Sequence, residues 1–448
     1  MHFPTAGGPF FRHLRMWHAV LVSLVVVAVV AFLVLRPSDG VRSVPGSACR
    51  PGDSAREDVP ASPDLDGDGS VDLVHEISED VDFDLTIVPG SKHGPDGDRT
   101  TVLAHDQLGL PDDVQVGDEP LQPTVADLDE DGHADLVVSE AAQVLWGGPK
   151  GPQAGGAHGR VTLPDGWYHT APVAGDFDGD GHIDLAVFKD AGEDRDRELV
   201  VLKGPFKRSG APARTVKMPS PVSEGADPVL VAGDANDDRA TDLALYDSAY
   251  DPPLLFTGGA RTAGGLSKEP ARLPEGENVV FGDFDGDGRQ DVAVGRSFIP
   301  SYDEDAAPHR RGQVNVRYGK EPGRWVTMEG GDFKEGFGTE LGVGDFNGDG
   351  CDDLAVQLTK KKEEGDARIE VLRGGSEHGL GSKPWRATKR SEPGDDNSVD
   401  GSLFAVHDWD GDGRAELLLL DGDRWWITDG TDRDEASFPV APGKDQGS

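Results

Sequence analysis

Phe337-Gly-Thr-Glu-Leu-Gly-Val-Gly-Asp345-Phe-Asn-Gly-Asp-Gly-Cys-Asp-Asp353-Leu-Ala-Val356 is an acidic loop held between two apolar strand signals. Counted from Asp345, acidic or amide side chains stand at positions 1, 3, 5 and 9, and glycine stands at position 6. Position 1 of the same pattern recurs at Asp64, Asp127, Asp176, Asp234, Asp283 and Asp408, with copies spaced 49–63 residues apart. A fixed period of that length merges the chain into one repeat domain, because each unit is one supersecondary element that needs its neighbours to bury its faces.

Each loop leads into a short aliphatic run: Leu73-Val74, Leu136–Val138, Leu185–Val187, Leu243–Leu245, Val292–Val294, Leu354–Val356 and Leu417–Leu419. A third strand signal follows, as in Leu199–Leu202 and Val314–Val316, and then a weaker fourth, as in Thr215–Met218 and Trp325–Met328. Short, regularly spaced strands with glycine at the turns predict an all-β, seven-bladed propeller of four-stranded blades over residues 63–440. Residues 437–440 are expected to complete the last outer strand.

Carboxylates at positions 1, 3 and 5 of a tight loop converge on one point, and oxygen-only ligation suits calcium. The candidate ligands are Asp64, Asp66, Asp68 and Asp72 in loop one, then Asp127, Asp129, Asp131 and Asp135 in loop two. Loops three and four offer Asp176, Asp178, Asp180 and Asp184, and Asp234, Asn236, Asp238 and Asp242. Loops five, six and seven offer Asp283, Asp285, Asp287 and Asp291; Asp345, Asn347, Asp349 and Asp353; and Asp408, Asp410, Asp412 and Glu416. Position 7 is Ser70, His133, His182, Ala240, Arg289, Cys351 or Arg414, a set without common chemistry, which points to use of its backbone. An EF-hand needs an acid at position 12 and a helix after it. Here position 12 is His75, Val138, Val187, Leu245, Val294, Val356 or Leu419, within a strand signal. Up to seven calcium ions are expected, held least well in loop four, where Arg239 replaces the glycine.

These motifs resemble the FG-GAP repeat of integrin α-chains and of many bacterial surface proteins. Phe337-Gly338 before Asp345–Gly350 carries the likeness most fully. It implies a seven-bladed propeller with its loops on one face and a partner, protein or glycan, on the other. Candidate contacts on that other face are Trp167, Tyr168, Tyr250, Phe298, Tyr302, Arg310 and Arg311, although taken singly each suits a structural role better, Trp167 as a plug within its own blade and the Arg pair as an offset to nearby acids. The chain lacks an N-x-S/T sequon and carries its apolar span at the N-terminus, features that set it with bacterial relatives.

The chain has 448 residues and a formal net charge of −40, from 83 acidic against 43 basic side chains. That balance disfavours nucleic acid, whose phosphates are met by clustered Lys and Arg. Much of the acid lies in the loops and counts as metal-binding capacity. Residues 1–16 form a short tail, and residues 17–35 an uncharged apolar run long enough to span a bilayer. Residues 36–62 read as a flexible stalk rich in Pro, Gly and Ser, and 441–448 as a tail. We expect an uncleaved membrane anchor with a cytoplasmic N-terminus and an extracytoplasmic propeller, cleavage and secretion being the alternative. The two cysteines, Cys49 and Cys351, are either a disulfide tying stalk to propeller or two free thiols.

No G-x-S-x-G, H-E-x-x-H, Walker or dinucleotide fingerprint occurs, and no catalytic residue is assigned. The expectation is a recognition module. A polysaccharide lyase or hydrolase is the second class, and a structural scaffold of the cell envelope is the third.

Overall fold

The computed structural model describes Cys49 and residues 63–440, apart from internal segments of which the longest are 105–122, 161–170, 190–197, 219–227, 298–310, 361–367 and 390–401. The described residues form seven antiparallel sheets, six with four strands and one with three, each in consecutive order. Blade five is typical: Asn278–Gly282, Asp291–Arg296, Gln313–Arg317 and Trp325–Glu329 pair in succession. Its acidic loop joins the first strand to the second. In blade one the loop precedes Leu73–Glu79, so its three described strands correspond to the second, third and fourth strands elsewhere. The last outer strand, Asp434–Pro439, pairs with Arg424–Thr428, close to where the sequence signal placed it. The fourth strand of blade two is His158–Arg160.

The aliphatic run after each loop becomes the second strand, and period-two alternation sends its side chains to opposite faces. Val292 and Val294 pack toward blade four, whereas Ala293 packs toward blade six. Leu354 and Val356 likewise face blade five, and Ala355 faces blade seven. Both faces of the strand are buried, so the sequence shows a continuous apolar run rather than an apolar–polar alternation.

The small residue in the middle of that run has a partner. Position 2 of the loop, Phe177, Phe284 or Phe346, is fully buried in the same cluster as Ala186, Ala293 or Ala355. In blade seven the larger pair Trp409 and Leu418 takes these places, in a cluster that also holds Leu73 and Val88 of blade one. That last interface closes the ring, and each of the seven hydrophobic clusters joins two adjacent blades.

Among the described residues, no helix is long and apolar enough to cross a membrane. The apolar run 17–35 lies outside the described residues. Cys49 and Cys351 form a disulfide with Cα atoms 5.4 Å apart, which settles the alternative left open by the sequence. Cys49 is thereby fixed against loop six and beside Gly286 of loop five.

Candidate metal centres

All seven loops are built on one hydrogen-bond frame. The position 1 carboxylate accepts from the position 6 amide, as in Gly413 N to Asp408 Oδ2 at 2.9 Å. The position 5 carboxylate accepts from the amide of position 7, at 2.8–3.1 Å in every loop. Position 7 therefore contributes main chain to the frame, consistent with its variable side chain. The position 9 carboxylate accepts the position 2 amide in all seven, as in Phe284 N to Asp291 Oδ2 at 3.0 Å.

The other oxygen of position 9 reaches further along the chain. In six blades it accepts the amide of a glycine two residues beyond the third strand's last pairing with the second, such as Gly374 N to Asp353 Oδ1 at 2.8 Å. Glycine is required there by crowding: a Cβ on Gly374 would lie 2.1 Å from the Asp352 carbonyl oxygen. Position 9 thus ties the loop to the third strand of its own blade. The loops are also joined sideways, since Thr241 N, Asp352 N and Ala415 N donate to the position 1 carbonyls of the preceding blades' loops.

This frame leaves oxygens turned inward. One carboxylate oxygen from each of Asp64, Asp66 and Asp72 lies within 4.8 Å of the others; so do those of Asp127, Asp129 and Asp135, of Asp176, Asp178 and Asp184, and of Asp408, Asp410, Asp412 and Glu416. Asp129 Oδ1, Asp178 Oδ1 and Asp408 Oδ1 are buried without a hydrogen-bond partner. An orphaned anionic oxygen is costly unless a cation meets it. The donor set of loop seven, four carboxylates with an orphaned oxygen, therefore fits calcium.

Burial pushes the position 9 carboxyls up, against the lowering effect of the backbone donors: Asp72 and Asp184 to about 6, Asp135, Asp242 and Asp353 to about 7, Asp291 to about 8 and Glu416 to about 9. Neighbouring loop carboxylates push in the same direction. A bound divalent cation supplies positive charge that offsets this repulsion and favours the ionised forms.

An FG-GAP-like repeat model matches residues 127–187, and an FG-GAP repeat model matches residues 276–298 and 337–356. The chain carries FG-GAP repeats. Those matches fall on loops two, three, five and six and on the strands that leave them. Among solved structures, the periplasmic gluconolactonase PpgL of Pseudomonas aeruginosa is similar over 82% of this chain and 96% of its own, with 13% identity and a TM-score of 0.42. A likeness that slight carries no argument about activity.

The FG-GAP loops are not equivalent. In loops four and six an asparagine takes position 3, and its amide nitrogen donates to the position 9 carboxylate: Asn347 Nδ2 to Asp353 Oδ2 at 2.9 Å, and Asn236 Nδ2 to Asp242 Oδ1 at 3.4 Å. Loop four also carries two non-glycine residues in the left-handed region, Asp237 at φ 61° and Arg239 at φ 73°. Loop two has one, Glu130 at φ 61°. Basic side chains reach the candidate ligand carboxylates of three loops among the described residues, and Arg289 Nε of loop five lies 3.4 Å from the position 4 residue Asp237 of loop four. Arg208 contacts Asp129 and Asp131 across the blade two–three boundary and stacks on Trp146. Lys203 contacts Asp178 and Asp184, and Arg373 Nη2 lies 2.7 Å from Asp349 Oδ2.

Trp167, Tyr168, Tyr250, Phe298, Tyr302 and Arg310 lie outside the described residues. Arg311 is described and half-buried. Sequence reading missed three contributors to the FG-GAP loops: the buried position 2 side chain, the left-handed position 4 and the stapling glycine. The last has a readable signal, because a glycine stands two residues beyond the third strand's last pairing in every blade, at the six stapling positions Gly90, Gly147, Gly204, Gly258, Gly319 and Gly374 and also at Gly430.

Proposed function

We propose that this chain is a membrane-anchored, extracytoplasmic propeller whose FG-GAP loops hold calcium and whose opposite face binds a surface protein or a glycan. The observation that carries the proposal is the contrast between the two ends of the blades. At the loop end the same hydrogen bonds repeat seven times. At the other end, connections between second and third strands range from residues 80–81 in blade one to 297–312 in blade five. Variable loops on a rigid scaffold are where recognition is usually built.

Three further features support the location. A disulfide persists in an oxidising compartment. Extracellular calcium modules work at dissociation constants of about 10⁻⁴–10⁻³ M, concentrations met outside the cytoplasm. Residues 17–35 supply a bilayer-length apolar run on the N-terminal side of Cys49.

The test is a capture screen on glycan and surface-protein arrays with the full chain in lipid nanodiscs, with calcium and with chelator. Calcium-dependent capture that falls when Trp167, Tyr302 and Arg310 are replaced by alanine, at unchanged melting temperature, is the expected result. Capture unaffected by those replacements would move the binding surface elsewhere. Turnover of a polysaccharide in the same preparation would replace the binding reading with an enzymatic one.

A further inference from the structure

The residue between the third strand's last pairing with the second and the glycine two places beyond it is Pro89, Trp146, Lys203, Thr257, Tyr318, Arg373 and Asp429 in blades one to seven. Two of these are basic, and they differ in depth. The Arg373 side chain is 49% exposed and meets position 5 at the rim of loop six. The Lys203 side chain is 5% exposed, and its Nζ lies 2.6 Å from Asp178 Oδ2 while also contacting Asp184 Oδ2. Those are positions 3 and 9, whose oxygens face one another across the centre of the loop.

We propose that Lys203 is the resident cation of loop three and that this FG-GAP loop takes no calcium. The proposal rests on the reading that other loops do. Lys203 is held in place by its own strand: it pairs with Arg214, and the next residue's amide, Gly204 N, donates to Asp184 Oδ1 at 2.9 Å. An ammonium offers three donors to a few acceptors, whereas calcium gathers six to eight oxygens. The remaining inward oxygen, Asp178 Oδ1, belongs to a carboxylate already in contact with Nζ. An ion ligated there would meet the ammonium at close range in a site of reduced dielectric, where like charges repel strongly. Because the lysine is tethered, Asp178 and Asp184 keep this cation at any external calcium concentration.

Neighbouring contacts extend the consequence. Loop three accepts Thr241 N of loop four through the Asp176 carbonyl at 2.7 Å. Loop four is the strained loop, so its neighbour on that side is fixed without metal.

The test counts ions. Native mass spectrometry of the full chain in detergent, titrated with calcium, is compared for wild type and Lys203→Met. The variant is expected to bind one ion more than wild type, and its melting temperature to fall further on chelation. Equal ion counts would overturn the proposal. If Lys203→Met does not fold, anomalous diffraction from wild-type crystals soaked in terbium gives the decision. A peak in loop seven with none in loop three is expected. A peak against Asp178 would overturn the proposal and leave the calcium reading standing, whereas no peak in any loop would overturn both.

Discussion

Loop three closes around Lys203, whereas loop seven brings Asp408, Asp410, Asp412 and Glu416 within 4.8 Å of one another. Their frames are the same. In each, position 6 donates to position 1, position 7 to position 5, and position 2 to position 9. The turn is therefore set by hydrogen bonds internal to the repeat, and the means of neutralising its carboxylates is free to differ. One blade can rely on its own side chain while another is left open to a metal.

Removing position 9 should separate the two loops most. In loop three, Asp184→Ala takes from the buried Lys203 ammonium one of its two carboxylates, leaving Asp178, and leaves the amides of Phe177 and Gly204 without their acceptor. A broken buried ion contact together with two orphaned amides costs about 3–5 kcal/mol. In loop seven, Glu416→Ala leaves the Trp409 amide without its acceptor, a loss of about 1–3 kcal/mol. It also relieves repulsion within the carboxylate cluster. Denaturant unfolding of both variants in chelator checks the order, and equal losses would remove the special status of Lys203.

Chelation should act on the two regions unequally. A site filled at a hundredfold excess over its dissociation constant contributes about 2.7 kcal/mol. Amide exchange in EDTA is expected to accelerate at Gly413 and Arg414 and to stay unchanged at Gly181 and His182. Uniform acceleration would mean that loop three depends on metal as well.

The pH response of the metal-free chain sharpens the same contrast. Burial raises Asp184 to about 6 and Glu416 to about 9. A carboxyl with a raised folded pKa favours the folded state most below its unfolded pKa, and that contribution is lost as pH rises through the folded value. The Asp184 contribution is spent by about pH 6, while that of Glu416 declines on toward pH 9. In EDTA, stability should therefore keep falling between pH 7 and pH 9, with a slope of at most about 1.4 kcal/mol per pH unit from this group. The Glu416→Gln variant should flatten that segment, and a slope unchanged by it would assign the decline to another carboxyl.

The blade pattern was legible because the second strand is buried on both faces and leaves a continuous run such as Leu354–Val356 in every repeat. The position 1, 3, 5 and 9 acids were legible because a repeated side-chain type at fixed spacing is local information. The role of Lys203 was not, since it lies nineteen residues beyond Asp184 and acts only once two strands have paired. Arg208 was more remote, coming from blade three to serve loop two. Position 2 was hidden for a related reason. Phe284 is an unremarkable loop residue until the next blade covers it beside Ala293.

Loop four provides the smallest effect and the most local one. Arg239 holds φ 73° at the position that is glycine in the other six loops, and its amide still reaches Asp234 Oδ2, at 3.1 Å against 2.7–2.9 Å elsewhere. A side chain in left-handed geometry costs roughly 1–2 kcal/mol. Arg239→Gly removes that strain but adds freedom to the unfolded chain, which returns about 0.4–1 kcal/mol. The net expectation is a gain of about 0.5–1 kcal/mol by denaturant unfolding. Gly413→Ala in loop seven is the mirror change, because its added Cβ would meet nothing within 4 Å and only the φ of 89° opposes it. It should lose a similar amount. A gain in loop four without the matching loss in loop seven would show that Arg239 is unfavourable for its charge rather than for its backbone, and Arg239→Ala, which removes the charge and keeps the strain, would then reproduce the gain.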